Sequence, residues 1–446
     1  MAIEKIVGRF QILHESTAII YHDNVFTYEW LYNQITELSK RFREQMQCGS
    51  VVQLIADFSP AAIATFFALA MNKMIVSILT KPSEAKRAEY EKFVNAEYVI
   101  QVNHDDIFIK SSGTTCDHTL IQELRRKNNP GLIILSSGST GKSKAIVHDI
   151  KQLLSDINQH SKSYHTIAFL LFDHIGGLNT LFQTLNNSGA LVIPRTRTPI
   201  EICKSIANHQ VHALVTSPSF LNLMLLTPDI AHYDLSSLKI INYGSEPMPE
   251  FLLKKLTNAF PYVRFSQAYG MSELGVLKAR SKSSDSVYIK IDPSISFRVR
   301  DGLLEIRSKS SMLGYLGAPS PFTEDGWLKT NDQVEMDGEY IKILGRDSEV
   351  INVGGEKVYP AEVENVLMEM NEIEDAMVLG EKHLILGTIV KAKIKLKNNT
   401  IISDIRKRVR TYCSSKLDKF KIPQKIELID YFTHNERYKK IRRPIT

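Results

Sequence analysis

The sequence predicts an α/β protein, with a large multi-layer N-terminal domain of mostly parallel sheets and a small α+β C-terminal domain on a hinge. Up to about residue 270, short apolar runs each stop at small or polar residues: GLIIL at SSGST, HALVT at SPS, KIINY at GSEP, RFSQA at YGMSE. Such runs read as strands buried on both faces, the habit of parallel sheet. Segments with helical spacing, such as FLNLMLL (220–226), lie between them. After GEYIKILGRDSEVINVGGEKV (338–358) the texture changes. A helix in PAEVENVLMEM, strands in DAMVLG and TIVKAKIKLK, a basic helix over about 402–417 and a strand in QKIELI then complete a module of roughly a hundred residues. The boundary falls at 346–348, giving domains 1–346 and 347–446.

In chain order, the N-terminus MAIEKIVGRF has an early acid and no apolar run suited to a secretory signal. The segment Pro60–Thr80 is apolar enough to suggest a membrane span, but Asn72 and Lys73 interrupt it, which favours a core helix followed by a core strand. Cys48, Cys116, Cys203 and Cys413 lack CxxC spacing, which argues against zinc or a disulfide framework and suits the reducing cytoplasm. The net charge of +6 is uneven: from Ile401 onward thirteen Lys/Arg face five Asp/Glu, a local +8. A basic tail suits a phosphate-bearing molecule or an acidic partner. Without aromatic interleaving or a groove-reading motif, nucleic acid is not expected.

The stretch GLIILSSGSTGKSKAIVHD (131–149) carries the chemistry. Small residues let backbone N–H groups approach a polyphosphate, while hydroxyls and a lysine neutralise it. The P-loop pattern GxxxxGK[ST] fails here, because its first glycine falls on Ser136. SSGSTGKSKA resembles instead the [ST]SG[ST]TGxPKG loop of the adenylate-forming superfamily: acyl- and aryl-CoA synthetases, peptide-synthetase adenylation domains and luciferases. Ser143 replaces the usual proline and Ala145 the last glycine. Further motifs follow in order. GSEPM (244–248) resembles GGxPL, YGMSE (269–273) YGxTE, and GWLKTND (326–332) GWxxTGD. GRDSEVINVGGEKVYPAEVE is similar to GRxKDxIxxxGxxIxPxEIE, and RYKKIRR (437–443) stands where the family has TGKIxR. The chain is shorter than most members.

The resemblance implies two half-reactions: a carboxylate attacks the α-phosphate of ATP, and a thiol then displaces AMP from the acyl-adenylate. It assigns the triphosphate to Ser137, Gly138, Ser139, Thr140, Gly141 and Lys144, with Ser272 opposite, and Mg²⁺ to Glu273. Adenine would lie by Gly244, Ser245, Glu246, Pro247, Tyr269 and Gly270, with the Tyr269 ring stacked on it. Asp332 and Arg346 would meet the ribose, and Lys440 would serve adenylation, with Lys439 the alternative. The hinge would be Ser348. Gly354, Gly355, Glu356 and Lys357 would face the thiol of CoA, or of phosphopantetheine on a carrier protein, in the second domain orientation.

For the acyl side, LFDHIGGLNTLF (171–182) looks most like acyl- and aryl-CoA ligases of the succinylbenzoate type. His174 would stand at the pocket mouth; Gly176 and Gly177 either leave room for a ligand or permit tight packing. Thr216–Leu225, with Ser217, would form the other wall; it is apolar and offers no base for a second carboxylate, favouring a fatty or aromatic monocarboxylate. Asp173 in an FD pair keeps amino-acid adenylation open as a rival. Another rival is an acyl-AMP ligase loading an acidic carrier protein. A degenerate nucleotide-binding sensor is the non-enzymatic one, suggested by the departures at Ser143, Asn331, Ser348 and Lys439.

Overall fold

Buried apolar runs pair into two seven-stranded sheets that share one core. The computed structural model describes residues 2–80, 82, 84–104, 106–137, 143–155, 157, 162–383, 387–397, 403–435, 438 and 440–442. The first sheet runs, in spatial order, Arg264–Gln267, Ile240–Tyr243, Ala213–Thr216, His165–Ile167, Ala190–Ile193, Thr17–Tyr21 and Asn24–Thr27. Its pairs are parallel except the last hairpin. The second runs Gly314–Leu316, Ser143–Asp149, Gly131–Ser137, Ile75–Leu79, Val51–Ile55, Tyr98–Asn103 and Asp106–Ser111, parallel in the middle and antiparallel at both edges.

One core joins the inner faces of both sheets to helices Ala2–Leu13, Tyr28–Gln45, Pro60–Met71 and Ile175–Asn186. Pro60–Met71 is apolar all round because it is buried all round. Ser59 starts it by accepting from the Ala62 amide, and Pro60 occupies a first-turn position where no N–H is needed. Its Phe66 ring lies 5.8 Å from Phe182 on the fourth helix, so the two helices pack through aromatic contact. Strand Ile75–Leu79 follows, as expected for this segment. Among the described residues no helix is long and apolar enough to cross a membrane.

Residues 279–346 add a six-stranded antiparallel sheet that the sequence reading did not foresee. Beyond Arg346, a short 3-10 turn, Asp347–Glu349, leads into a separate core of residues from Ile351 to Ile426. This core holds helices Pro360–Met368 and Ile405–Ser414 and a three-stranded sheet, Ile373–His383, Gly387–Leu396 and Lys425–Leu428. The basic helix begins later than expected, after Asp404 in a left-handed conformation. The small unit docks on helix Glu250–Ala259, where the Phe251 amide donates to Asn365 at 3.0 Å.

Candidate active site

Three parallel strands, Ala213–Thr216, Ile240–Tyr243 and Arg264–Gln267, end side by side. Val215 pairs with Asn242 and Asn242 with Ser266, so these three form one row across the sheet. Their neighbours Leu214, Ile241 and Phe265 fill the opposite face. Helix Ile175–Asn186 covers the adjoining strands through Leu178, Leu181 and Leu185. The uncovered row then walls a cavity of ≈ 530 Å³ at the carboxyl ends of the strands. The helix supplies Ile175, Leu178, Asn179, Phe182 and Gln183 to the facing wall, the spacing of one helical face.

At the other end the same cavity is lined by Lys144, Ser272, Glu273, Gly244, Ser245, Gly270 and Arg346. Strands Gly131–Ser137 and Ser143–Asp149 form an antiparallel hairpin that brackets the Ser/Gly loop. A strand after GKS, where a P-loop has a helix, separates the two loop types structurally. Gly138, Ser139, Thr140, Gly141 and the Ser137 side chain lie outside the described residues. Lys144 extends over the Tyr315 ring, 4.8 Å from its centroid, and the Tyr315 hydroxyl donates to Glu273 at 2.8 Å. Burial, then the Glu273 charge, push that hydroxyl far above the ordinary tyrosine range, so it remains a donor.

Other expected positions differ. Tyr269 is buried in the core and its hydroxyl donates to Asp332 at 2.6 Å; its ring is not on the cavity wall. Asp332, 6% exposed, is shared between that hydroxyl and Arg346 Nε at 2.7 Å, and is not on the wall either. Burial raises its carboxyl above the usual range, against the pull of Arg346 and Tyr269. Neighbouring Thr330 and Asn331 do reach the cavity. Glu246 turns away: its carboxylate accepts from the Ser219 amide at 2.7 Å. Pro247 is absent from the wall.

On the acyl side, His174 lines the cavity and also caps the helix, its Nδ1 accepting from the Gly176 amide at 3.0 Å. Packing decides the choice left open for Gly177: a Cβ there would sit 2.0 Å from the Leu171 carbonyl oxygen. Gly176 lines the cavity, yet a Cβ would also strike the Leu170 side chain at 2.6 Å. Ser217 is a correction: it is fully buried and accepts from the Phe220 amide to cap helix Pro218–Leu226. Of the expected wall from Thr216 to Leu225 only Thr216 lines the cavity, beside Val215 just before it, because Phe220, Leu221 and Met224 face the outer core. A basic residue, Lys278, does reach the cavity. Asp173 is not on the wall; its carboxylate accepts from the Thr80 amide at 3.2 Å.

The small domain is turned so that Gly354, Gly355, Glu356 and Lys357, on a two-stranded hairpin, are exposed and not on the cavity wall. Ser348 lies on the exposed turn between the domains. Lys440 is also not on the wall. Its ammonium is bound by the Asp375 carboxylate and donates to the Ala376 carbonyl at 2.9 Å, inside the small domain. Nearby Tyr438 touches the large domain, its ring 5.7 Å from Phe169 and 5.2 Å from Phe220. Lys439 lies outside the described residues. Much of the basic excess is matched internally: Lys416 pairs with Glu369, Lys421 with Glu362 and Arg442 with Glu364.

Sequence reasoning missed Tyr315, His148, Asn179, Gln183, Asn242, Ser266 and Lys278. His148 is fully buried, and its Nε2 donates to the Ser272 carbonyl at 2.6 Å. A signal existed for Asn179 and Gln183: they share the helical spacing of Ile175 and Phe182 on an otherwise apolar helix.

The AMP-binding enzyme family model matches residues 11–299, and the model of the AMP-binding enzyme C-terminal domain matches 362–439. A 2-succinylbenzoate–CoA ligase of Bacillus subtilis is 25% identical over 98% of this chain and 96% of the relative. A 3-[(3aS,4S,7aS)-7a-methyl-1,5-dioxo-octahydro-1H-inden-4-yl]propanoyl:CoA ligase of Rhodococcus jostii is 26% identical; that match spans 68% of this chain and 62% of the relative. The fold is similar to that of the anthranilate CoA ligase AuaEII crystallised with anthranoyl-AMP: TM-score 0.83, 18% identity, 98% and 95% of the two chains covered.

Proposed function

Since the chain belongs to the AMP-binding enzyme family, we propose that it is an ATP-dependent acid–thiol ligase that makes an acyl-CoA. What supports this most is one cavity that Lys144, Glu273 and Arg346 share with His174 and helix Ile175–Asn186. A polyphosphate end and an organic-acid end thereby meet in one space.

In the first half-reaction a carboxylate oxygen attacks the α-phosphorus of ATP. The bond from that phosphorus to the bridging oxygen breaks, and pyrophosphate leaves. Lys144 and the Ser272 hydroxyl neutralise the phosphates, and their fixed placement does most of the catalytic work such a transfer needs. Gly244, Ser245 and Gly270 give adenine a narrow seat, and Arg346 closes the nucleotide end beside Asp332.

Glu273 suits Mg²⁺. One carboxylate oxygen is held by Tyr315, and the other has no partner among the described residues. Magnesium binds through one or two carboxylates plus phosphate oxygens, so it needs no larger cluster of protein ligands. When bound it would offset phosphate charge.

Lys440 reaches the acyl–phosphate junction only after leaving Asp375. In the second half-reaction the thiol attacks the acyl carbon and AMP departs. Rotation about Ser348 would bring Gly354–Lys357 toward the cavity for that step. CoA is the acceptor preferred here over a carrier protein, because the basic module spends much of its charge on its own acids.

Carboxylate-dependent ATP–pyrophosphate exchange across fatty, aryl and amino acids tests the first step, and AMP release with CoA against holo-carrier protein tests the second. Absence of exchange with every acid class would defeat the proposal and favour a nucleotide-binding sensor.

A further inference from the structure

We infer that the acid accepted by this cavity carries a neutral hydrogen-bonding group, such as a hydroxyl, keto or amide function, on an otherwise apolar body. The inference rests on the acid-activating reading above and narrows it: a plain alkyl chain or unsubstituted ring is the wrong occupant.

Polar side chains on helix Ile175–Asn186 divide by the direction they face. Thr180, turned into the protein, donates to the Gly176 carbonyl at 2.8 Å. Just past the helix end, the Asn187 amide donates to the Gln183 carbonyl at 2.7 Å. Asn179 and Gln183, half-buried on the cavity face, have no side-chain hydrogen-bond partner among the described residues. They stand one and two turns along the helix, about 6 and 12 Å from its start. Apolar Leu153, Ile157 and Phe182 line the same cavity.

The opposite wall repeats the pattern. Asn242 and Ser266, neighbours in register, likewise lack side-chain partners among the described residues. The Thr216 hydroxyl and the Gln267 side-chain oxygen are buried without a partner, and both residues line the cavity. Water can satisfy these groups until a ligand displaces it. A hydrocarbon would then leave them unmet, at about 1–3 kcal/mol for each group buried without a partner. A site built to hydrogen-bond a substrate group rejects analogues lacking it far more strongly than an apolar pocket rejects an added methylene.

All of these groups are neutral. Lys278 also lines the cavity, but it stands among neutral groups that lack a partner. A neutral function on the acid therefore fits better than a second carboxylate.

The test uses stable adenylate mimics, 5′-O-(N-acylsulfamoyl)adenosines, whose acyl groups share one skeleton. One bears a distal hydroxyl or keto group, one is pure hydrocarbon, and one ends in a second carboxylate. Calorimetric titration should show the neutral oxygenated mimic binding roughly 100-fold tighter than the hydrocarbon one. Asn179→Leu with Gln183→Leu should shrink that ratio to about threefold or less, and Asn242→Ala should narrow it independently from the facing wall. Equal or tighter hydrocarbon binding by the wild-type protein overturns the inference. So does a ratio unchanged in both variants, or tightest binding of the dicarboxylate. A kept preference without pyrophosphate exchange would defeat the proposed reaction alone; failure to bind any mimic would defeat both.

Discussion

The imidazole Nε2 of His148 donates to the carbonyl oxygen of Ser272 across 2.6 Å, from a ring with no exposed surface. His148 lies on strand Ser143–Asp149, and Ser272 and Glu273 lie on a turn that lines the cavity together with Lys144 of that strand. One buried hydrogen bond thus fixes the separation of the two walls that would grip a triphosphate.

The burial of His148 carries a pH signature. Burial depresses the His148 pKa to about 4, with the Ser272 carbonyl opposing, whereas an unfolded histidine titrates near 6.5. On acidification the unfolded chain gains its proton first. The stability His148 contributes is therefore complete above about pH 6.5 and is lost as pH falls toward 4, roughly 3 kcal/mol in all. His148→Gln keeps a donor but cannot titrate. Urea midpoints between pH 7 and 4 should fall less steeply for the variant; parallel profiles would contradict the burial argument.

Tyr315 does for Glu273 what His148 does for Ser272. Tyr315→Phe removes one hydrogen bond to a charged group while keeping the ring under Lys144. A loss of that kind is worth about 1.5–3 kcal/mol, so pyrophosphate exchange should drop roughly tenfold or more. The magnesium concentration for half-maximal rate should rise with it. An unchanged magnesium dependence would mean that Tyr315 supports only the fold.

Gly177 predicts a failure of folding rather than of specificity. The Cβ of Gly177→Ala would collide with backbone at Leu171, which cannot swing aside as a side chain can. Overpacking of this kind costs about 1–3 kcal/mol or more. Melting temperature should fall while the preference among acids stays as in the wild-type protein. Altered acid preference at unchanged stability would show that the missing side chain serves the ligand.

Strand-end clusters, the buried helix Pro60–Met71 and the order of the motifs were legible because each is written in a local pattern. The antiparallel sheet of residues 279–346 was legible only in part: SFRVR and LLEIR pair across Asp301–Gly302, a local hairpin signal, whereas YIKI and LLEIR also pair with Tyr340–Arg346 and Leu328–Asp337, farther along the chain than a local window reaches. Ser217 before Pro218 was readable as a helix start, and a cap is what it is. The enclosure of Tyr269 and Asp332 depends on Arg346 arriving from the next strand, which no local window contains. Two departures from the family pattern also have a physical account. Asn331 and Ser245 stand where glycine is usual and keep its left-handed backbone, with φ of 58° and 71°. Asn adopts that region more readily than most residues, so Asn331 is weak support for a degenerate protein.

Lys440 poses the sharpest question, because its ammonium is bound to Asp375 rather than turned into the cavity. Lys440→Ala should abolish pyrophosphate exchange yet keep thioester formation from supplied acyl-adenylate, since only the first half-reaction builds charge at the α-phosphate. The single variant also strands a buried carboxylate, and breaking a buried pair costs about 3–5 kcal/mol, so lost activity alone is ambiguous. Asp375→Asn combined with Lys440→Ala removes that ambiguity by replacing the stranded charge with a neutral amide. If Lys440 acts in adenylation, the double variant regains stability and remains without exchange, while Asp375→Asn alone retains exchange. If exchange returns in the double variant, Lys440 is a structural partner of Asp375 and adenylation depends on another cation.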